Sequence, residues 1–144
     1  MAIRYFEEES TKSGLKQRRL LSSFIENSIL QKHLELTKIQ IHYIFCNDEQ
    51  LLEKNIQFLN HNTLTDILTF DLSETEEELF SEIYISIERV RDNANIHKTT
   101  YQQELHRVIF HGALHLCGFK DKTEEQEKEM RHQEDLCINQ YFGK

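Results

Sequence analysis

The chain has 144 residues, enough for one compact domain, residues 1–144, with a core that needs neither disulfide nor structural metal to fold. Its 17 Lys and Arg against 25 Asp and Glu give a formal net charge of −8, which excludes a generically basic polyanion binder, and the second half carries most of that acidity. Cys46, Cys117 and Cys137 are widely spaced without a CxxC pair, and neither a signal-peptide pattern nor a membrane-length apolar run is present, so a reduced, cytoplasmic setting without membrane contact is expected.

In chain order, Ile3 and Tyr5 predict a short first strand. Leu20, Leu21, Phe24, Ile25 and Ile29 then predict an amphipathic helix, and Ile39, Ile41, Tyr43 and Phe45 alternate as the inner face of a second strand. A shorter helical stripe follows at Leu51, Leu52, Ile56 and Leu59. Strands are predicted over Ile67 to Leu72 and Glu82 to Ile87, on either side of an exposed acidic loop, Ser73 to Ser81. Val90 to His97 reads as a third helix. Thr100 with Gln103 has the spacing of a capping box and opens a helix with Leu105, Val108, Ile109, Gly112 and Leu116 inward, stopped by Gly118. Thr123 with Gln126 opens a last helix with Met130, Leu136 and Cys137 among its apolar positions. This order departs from strict β/α alternation and predicts an α+β fold, a small mixed four-stranded sheet packed with about five helices. Proline is absent and only four glycines are present, so no linker composition divides the chain.

The chemistry concentrates in FHGALHLCGFKDKT. His111 and His115 stand four apart on the helix of the C-terminal third, so two imidazoles share one face. Gly118 lets the chain leave the helix in a left-handed turn and return Asp121 toward them, giving H-x3-H-x2-G-x2-D. Two nitrogens and a carboxylate leave a fourth tetrahedral position for water, the ligand count of a catalytic zinc site. The order resembles a zincin motif, but Gly112 stands where a metalloprotease has its general-base Glu, so a peptidase loses its proton acceptor. Gly112 instead permits close approach by another element. Arg107, one turn before His111, reaches either phosphate at the site edge or Glu104, and Glu104 is itself a candidate to orient a histidine. Lys120 and Lys122 flank Asp121 and are the other candidate catalytic cations. Cys117 points off this face, and His61, His97 and His132 have no local partner.

These residues resemble the YbeY family of bacterial metal-dependent endoribonucleases, whose signature H-G-x-L-H-L-x-G-[YF]-D-H stands here as HGALHLCGFKDK, His111 to Lys122. TLTDILTF (Thr63 to Phe70) is similar to the family's P-T-D-V-L-S-F, SEIYIS (Ser81 to Ser86) to its G-D-I-x-I-S strand, and Glu125 to Glu134 to its acidic C-terminal helix. Departures are equally specific. The family's third His is replaced by Asp121 and its Asp by Lys120. A one-residue insertion would put Lys122 opposite that His, and a protonated amine is a poor ligand. Leu59 occupies the place of the family's Arg, and Leu64 that of a proline.

The resemblance implies one Zn2+ per chain, with other divalent ions possible, held by His111, His115 and Asp121. It implies a single-strand-specific endoribonuclease that uses metal-bound water in rRNA processing, notably 16S rRNA 3′-end maturation, and in ribosome quality control. Its partners would be RNA, the small ribosomal subunit and ribosome assembly proteins. Lys12, Lys16, Arg18 and Arg19 on the first helix, with Arg89 and Arg91, are the candidates for a phosphate-tracking strip. The competing expectation is an assembly or binding factor with a structural metal and little catalysis, which the missing Arg at Leu59 would allow. A zincin-like protease is the third.

Overall fold

A computed structural model describes residues 2–36, 38–59 and 65–143; His61, Thr63 and Leu64, named above, lie outside them. Strand β1 (Ala2–Glu7) is followed by α1 (Arg18–Phe24), a π-helical stretch (Ile25–Leu30) and α2 (Gln31–His33), which together run as one helical segment. Then come β2 (Lys38–Cys46), α3 (Asp48–Leu59), β3 (Ile67–Asp71), β4 (Glu78–Ser86), α4 (Ile87–Ile96), α5 (Tyr101–Leu116) and α6 (Glu124–Phe142). The sheet order is β1-β2-β4-β3, with β1, β2 and β4 parallel and β3 antiparallel at the edge. The expected mixed four-stranded α+β architecture is therefore present, and its helices number five when the first segment is counted once.

Alternation in the sequence becomes the two faces of this sheet. Ile39, Ile41, Tyr43 and Phe45 of β2 and Leu79, Ile83 and Ile85 of β4 form the inner face, packed against Leu21, Ile25, Ile29 and the apolar side of α5. The Tyr43 hydroxyl, fully buried, donates to the Ile109 carbonyl at 3.0 Å and ties sheet to helix. On the outer face a smaller cluster of Cys46, Leu51 and Leu68 holds α3.

Several expectations are corrected. β4 begins at Glu78, inside the stretch read as an acidic loop, because Leu79 and Ser81 alternate into the interior and the strand pairs with β2 from its first residue. Leu20, Ile56, Leu59 and Leu136 are exposed. Leu21, Ile25, Ile29 and Leu30 are the buried set of the first helical segment, and Leu20 lies off that face. Lys12 and Lys16 precede α1 instead of riding on it.

Gly112 does what its lack of a side chain permits. A Cβ there would lie 3.1 Å from Ile67 Cδ1 and 3.2 Å from Ile83 Cδ1 and Cγ2, so α5 sits against the sheet so closely that a side chain would have to push those methyl groups aside. The helix is thereby pressed onto β3 and β4 next to His111.

The C-terminal helix docks through rings. His106, buried on α5, stacks on Tyr141 with centroids 5.3 Å apart, meets Phe142 edge-on, and donates from Nδ1 to the Gln102 carbonyl. Burial holds His106 below the ordinary histidine pKa, against the opposing pull of that hydrogen bond. The unfolded chain therefore takes up this proton first, and stability is lost as pH falls from about 6.5 toward the depressed folded value. His106→Phe should remove that part of the loss, read from urea midpoints of both proteins across the acid range; parallel curves would contradict it.

Candidate metal centre

Thr100 caps α5, its side chain accepting from the Gln103 backbone N–H. The helix carries His111 and His115 one turn apart, with ring centroids 4.5 Å apart and planes at 84°. It ends at Leu116, and Gly118 follows with φ +101°, in the left-handed region predicted for it. The Phe119 N–H then reaches back to the Leu114 carbonyl, closing the turn. This reversal carries Asp121 over the two imidazoles before the complete capping box of Thr123 and Gln126 starts α6.

Asp121 Oδ2 stands 3.3 Å from His111 Nε2 and 3.4 Å from His115 Nε2. In a tetrahedral zinc site with bonds of about 2.0–2.1 Å, neighbouring donor atoms are separated by about 3.3 Å. The donors thus fit a shared divalent ion better than a direct hydrogen bond. Among the described residues, these three are the group that could hold a metal ion.

Both rings are fixed from behind. His111 Nδ1 donates to Glu134 Oε2 at 2.6 Å, and His115 Nδ1 donates to the Phe119 carbonyl at 2.9 Å. With each Nδ1 protonated, each Nε2 presents a lone pair toward Asp121. Glu134 is buried on α6, and its other oxygen pairs with Arg107 Nη1 at 3.0 Å, while Arg107 Nη2 takes Asp135 at 2.7 Å. Burial pulls the His111 pKa down, but the Glu134 bond and charge, with Asp121 and Asp66, carry it above the ordinary value. Asp66, on the facing wall, is held above the usual carboxylate range by burial.

The centre opens into a cleft of about 730 Å³ between α5 and the β3 edge. Lys122 and Arg131 line it, with Leu59 and Asp66 on the other side. Lys120 is exposed and outside that lining. Arg107 also lines the cleft, and its two terminal nitrogens pair with the α6 carboxylates Glu134 and Asp135 and not with Glu104. Glu104 instead meets His97 Nδ1 at 3.2 Å, which gives His97 the partner that the sequence did not reveal. Of the residues expected to form a basic strip, Arg18 pairs with Glu7, Arg89 pairs with Asp48 and Asp92, and Arg91 lies over the Tyr101 ring and lines a surface pocket with Lys12. Sequence reasoning missed Glu134, although a carboxylate in line with Met130, Cys137 and Ile138 on one helix face was a readable signal. It also missed Asp66 and Arg131, whose approach depends on tertiary structure.

An α+β domain fold with a His-His-Asp donor triangle at the end of a central helix defines a candidate metal-centre protein, and comparison with known proteins makes the class specific. The family model described as endoribonuclease YbeY matches residues 5–142, and the chain belongs to that family of RNA-cleaving hydrolases. It is 43% identical over 135 residues to endoribonuclease YbeY of Cytophaga hutchinsonii, covering 94% of this chain and 93% of that one. To endoribonuclease YbeY of Flavobacterium psychrophilum it is 54% identical over 105 residues, covering 73% and 74%. The solution structure of a Thermotoga maritima protein matches with TM-score 0.60 and 26% identity, covering 98% of this chain and 89% of that one. No helix among the described residues is long and apolar enough to cross a membrane.

Glu134 should be felt at the metal. Glu134→Ala is expected to weaken Zn2+ affinity about 10–100-fold, measured by competition with a chromogenic chelator. Unchanged affinity would show that His111 needs no such support.

Proposed function

We propose that this chain is a zinc-dependent, single-strand-specific endoribonuclease of the cytoplasm, a single domain over residues 1–144. Its substrate in this reading is rRNA of the small ribosomal subunit, with 16S rRNA 3′-end maturation and ribosome quality control as its processes and ribosome assembly proteins as partners. The observation that carries the reading is the His111, His115, Asp121 donor group, with the Asp121 carboxylate 3.3 and 3.4 Å from the two Nε2 atoms, open to a cleft in a chain of the endoribonuclease YbeY family.

His111, His115 and Asp121 would hold the ion. When bound, it supplies a Lewis acid for a phosphoryl oxygen and an acidified water as nucleophile. The chain's own groups do the rest. Glu134 and the Phe119 carbonyl keep both Nε2 lone pairs aimed inward. Arg107 is a positioning residue, since its guanidinium fixes Glu134. Lys122 and Arg131 bring positive charge to the cleft for the RNA backbone, and exposed Lys120 adds to the field beside Asp121. This matters because one carboxylate ligand lowers the charge of the centre from +2 to about +1.

Leu59 lines the cleft where the family resemblance places an arginine, and this favours keeping the binding-factor reading as the second one. One variant separates the two. His115→Ala should reduce cleavage of a single-stranded RNA by the Zn2+-supplemented protein to the level left after chelation, measured by gel assay. Cleavage at the wild-type rate would overturn the catalytic reading.

A further inference from the structure

The cleft that holds the donor triangle has a second polar cluster in its wall, which the metal centre does not use. Glu104 stands on α5 two helical turns before His111, on the same face. It is buried, and its Oε1 lies 3.2 Å from Nδ1 of His97, the residue that caps α4. A buried carboxylate is costly unless it has a partner, and the imidazole is that partner here. His97 itself is half exposed, and both residues line the cleft together with Asn93, one turn earlier on α4. Because a carboxylate only accepts, Nδ1 carries the proton of this bond, and in the neutral ring Nε2 is left as a lone-pair acceptor. Among the described residues no protein group meets that Nε2. The Asn93 side chain adds an amide donor to the same stretch of wall.

We propose that His97, held by Glu104, reads the ribose 2′-hydroxyl of a nucleotide flanking the cleaved bond, and so makes the cleft prefer RNA to DNA. Nε2 accepts the hydroxyl's hydrogen bond, and the Asn93 amide donates to its oxygen. The inference rests on the RNA-cleaving reading above and names the residue that discriminates the sugar. A hydroxyl is the group of the strand that donates and accepts at one atom, which is what an acceptor and a donor side by side require. A phosphate oxygen only accepts, so it finds no partner at a lone-pair nitrogen. Base amino groups occur on some bases only, whereas every RNA nucleotide carries the 2′-hydroxyl. Two turns of α5 separate Glu104 from His111 by about 10 Å along the axis, which puts this contact on a flanking ribose and makes His97 a specificity residue, apart from the bond that breaks. Glu104 is its positioning residue, as Glu134 is for His111.

The test compares the affinity of the Zn2+-loaded protein for a single-stranded uridine oligomer and for a deoxyuridine oligomer of equal length, whose bases carry no amino group. Binding is read by fluorescence polarisation, and each strand is shown to be intact on a gel after titration. The wild-type protein should bind the ribose strand more tightly. His97→Ala is expected to weaken the ribose strand about fivefold and to leave the deoxyribose strand unchanged, so the second strand also reports an intact fold. Glu104→Gln still accepts from Nδ1 and should keep the preference, while Glu104→Leu should lose it with His97 in place. Equal wild-type affinity for the two strands, an equal loss for both in His97→Ala, or a loss for neither overturns the contact even where the protein cleaves RNA. Loss of the preference as expected, in a protein that cleaves neither strand, would uphold the contact and refute the nuclease reading instead.

Discussion

Each of the two imidazoles can act as a ligand because its other nitrogen is already committed. Glu134 holds His111 Nδ1 and the Phe119 carbonyl holds His115 Nδ1, so both Nε2 atoms converge on Asp121. A free histidine ring rotates and exchanges tautomers, and two such rings would seldom point their lone pairs at one place. The rest of the fold serves this constraint. Helix α6 must lie close enough to bring Glu134 to α5, and the rings of Tyr141 and Phe142 around His106, the Arg107 pairs with Glu134 and Asp135, and the capping box at Thr123 all fix that approach. The loop after Gly118 acts twice, since it supplies both the carbonyl that orients His115 and the carboxylate that completes the triangle.

The protein background shapes what an ion here could do. Glu134 and Asp121 sit against the histidines, Asp66 faces them, and the positive groups nearby are few: Arg107, Lys122 and Arg131. Arg107 is spent on α6, which leaves Lys122 and Arg131 as the cleft's cations toward an anionic strand. With an overall charge of −8, long-range attraction of RNA is weak, and recognition must come from contacts inside and beside the cleft. Leu59 adds an apolar side chain to the cleft wall.

Much of this was legible in the residues themselves. The alternation at Ile39, Ile41, Tyr43 and Phe45 and the capping pairs at Thr100 and Thr123 are local signals, and they specified β2, α5 and α6. The His111, His115, Asp121 group was readable because helix spacing and a left-handed glycine are also local. What escaped was set by neighbours distant in sequence. Glu134 reaches His111 from 23 residues away, and nothing near Arg107 announces that α6 will claim it. Leu20, Ile56 and Leu59 looked like core because periodicity reports which residues share a face, but not whether another element covers it.

The central claim is that one divalent ion sits between His111, His115 and Asp121. Anomalous scattering at the zinc edge from crystals of the Zn2+-loaded protein tests it most directly. The account predicts a single peak bonded to both Nε2 atoms and to an Asp121 oxygen. A peak elsewhere, or one whose ligands omit Asp121, would contradict it.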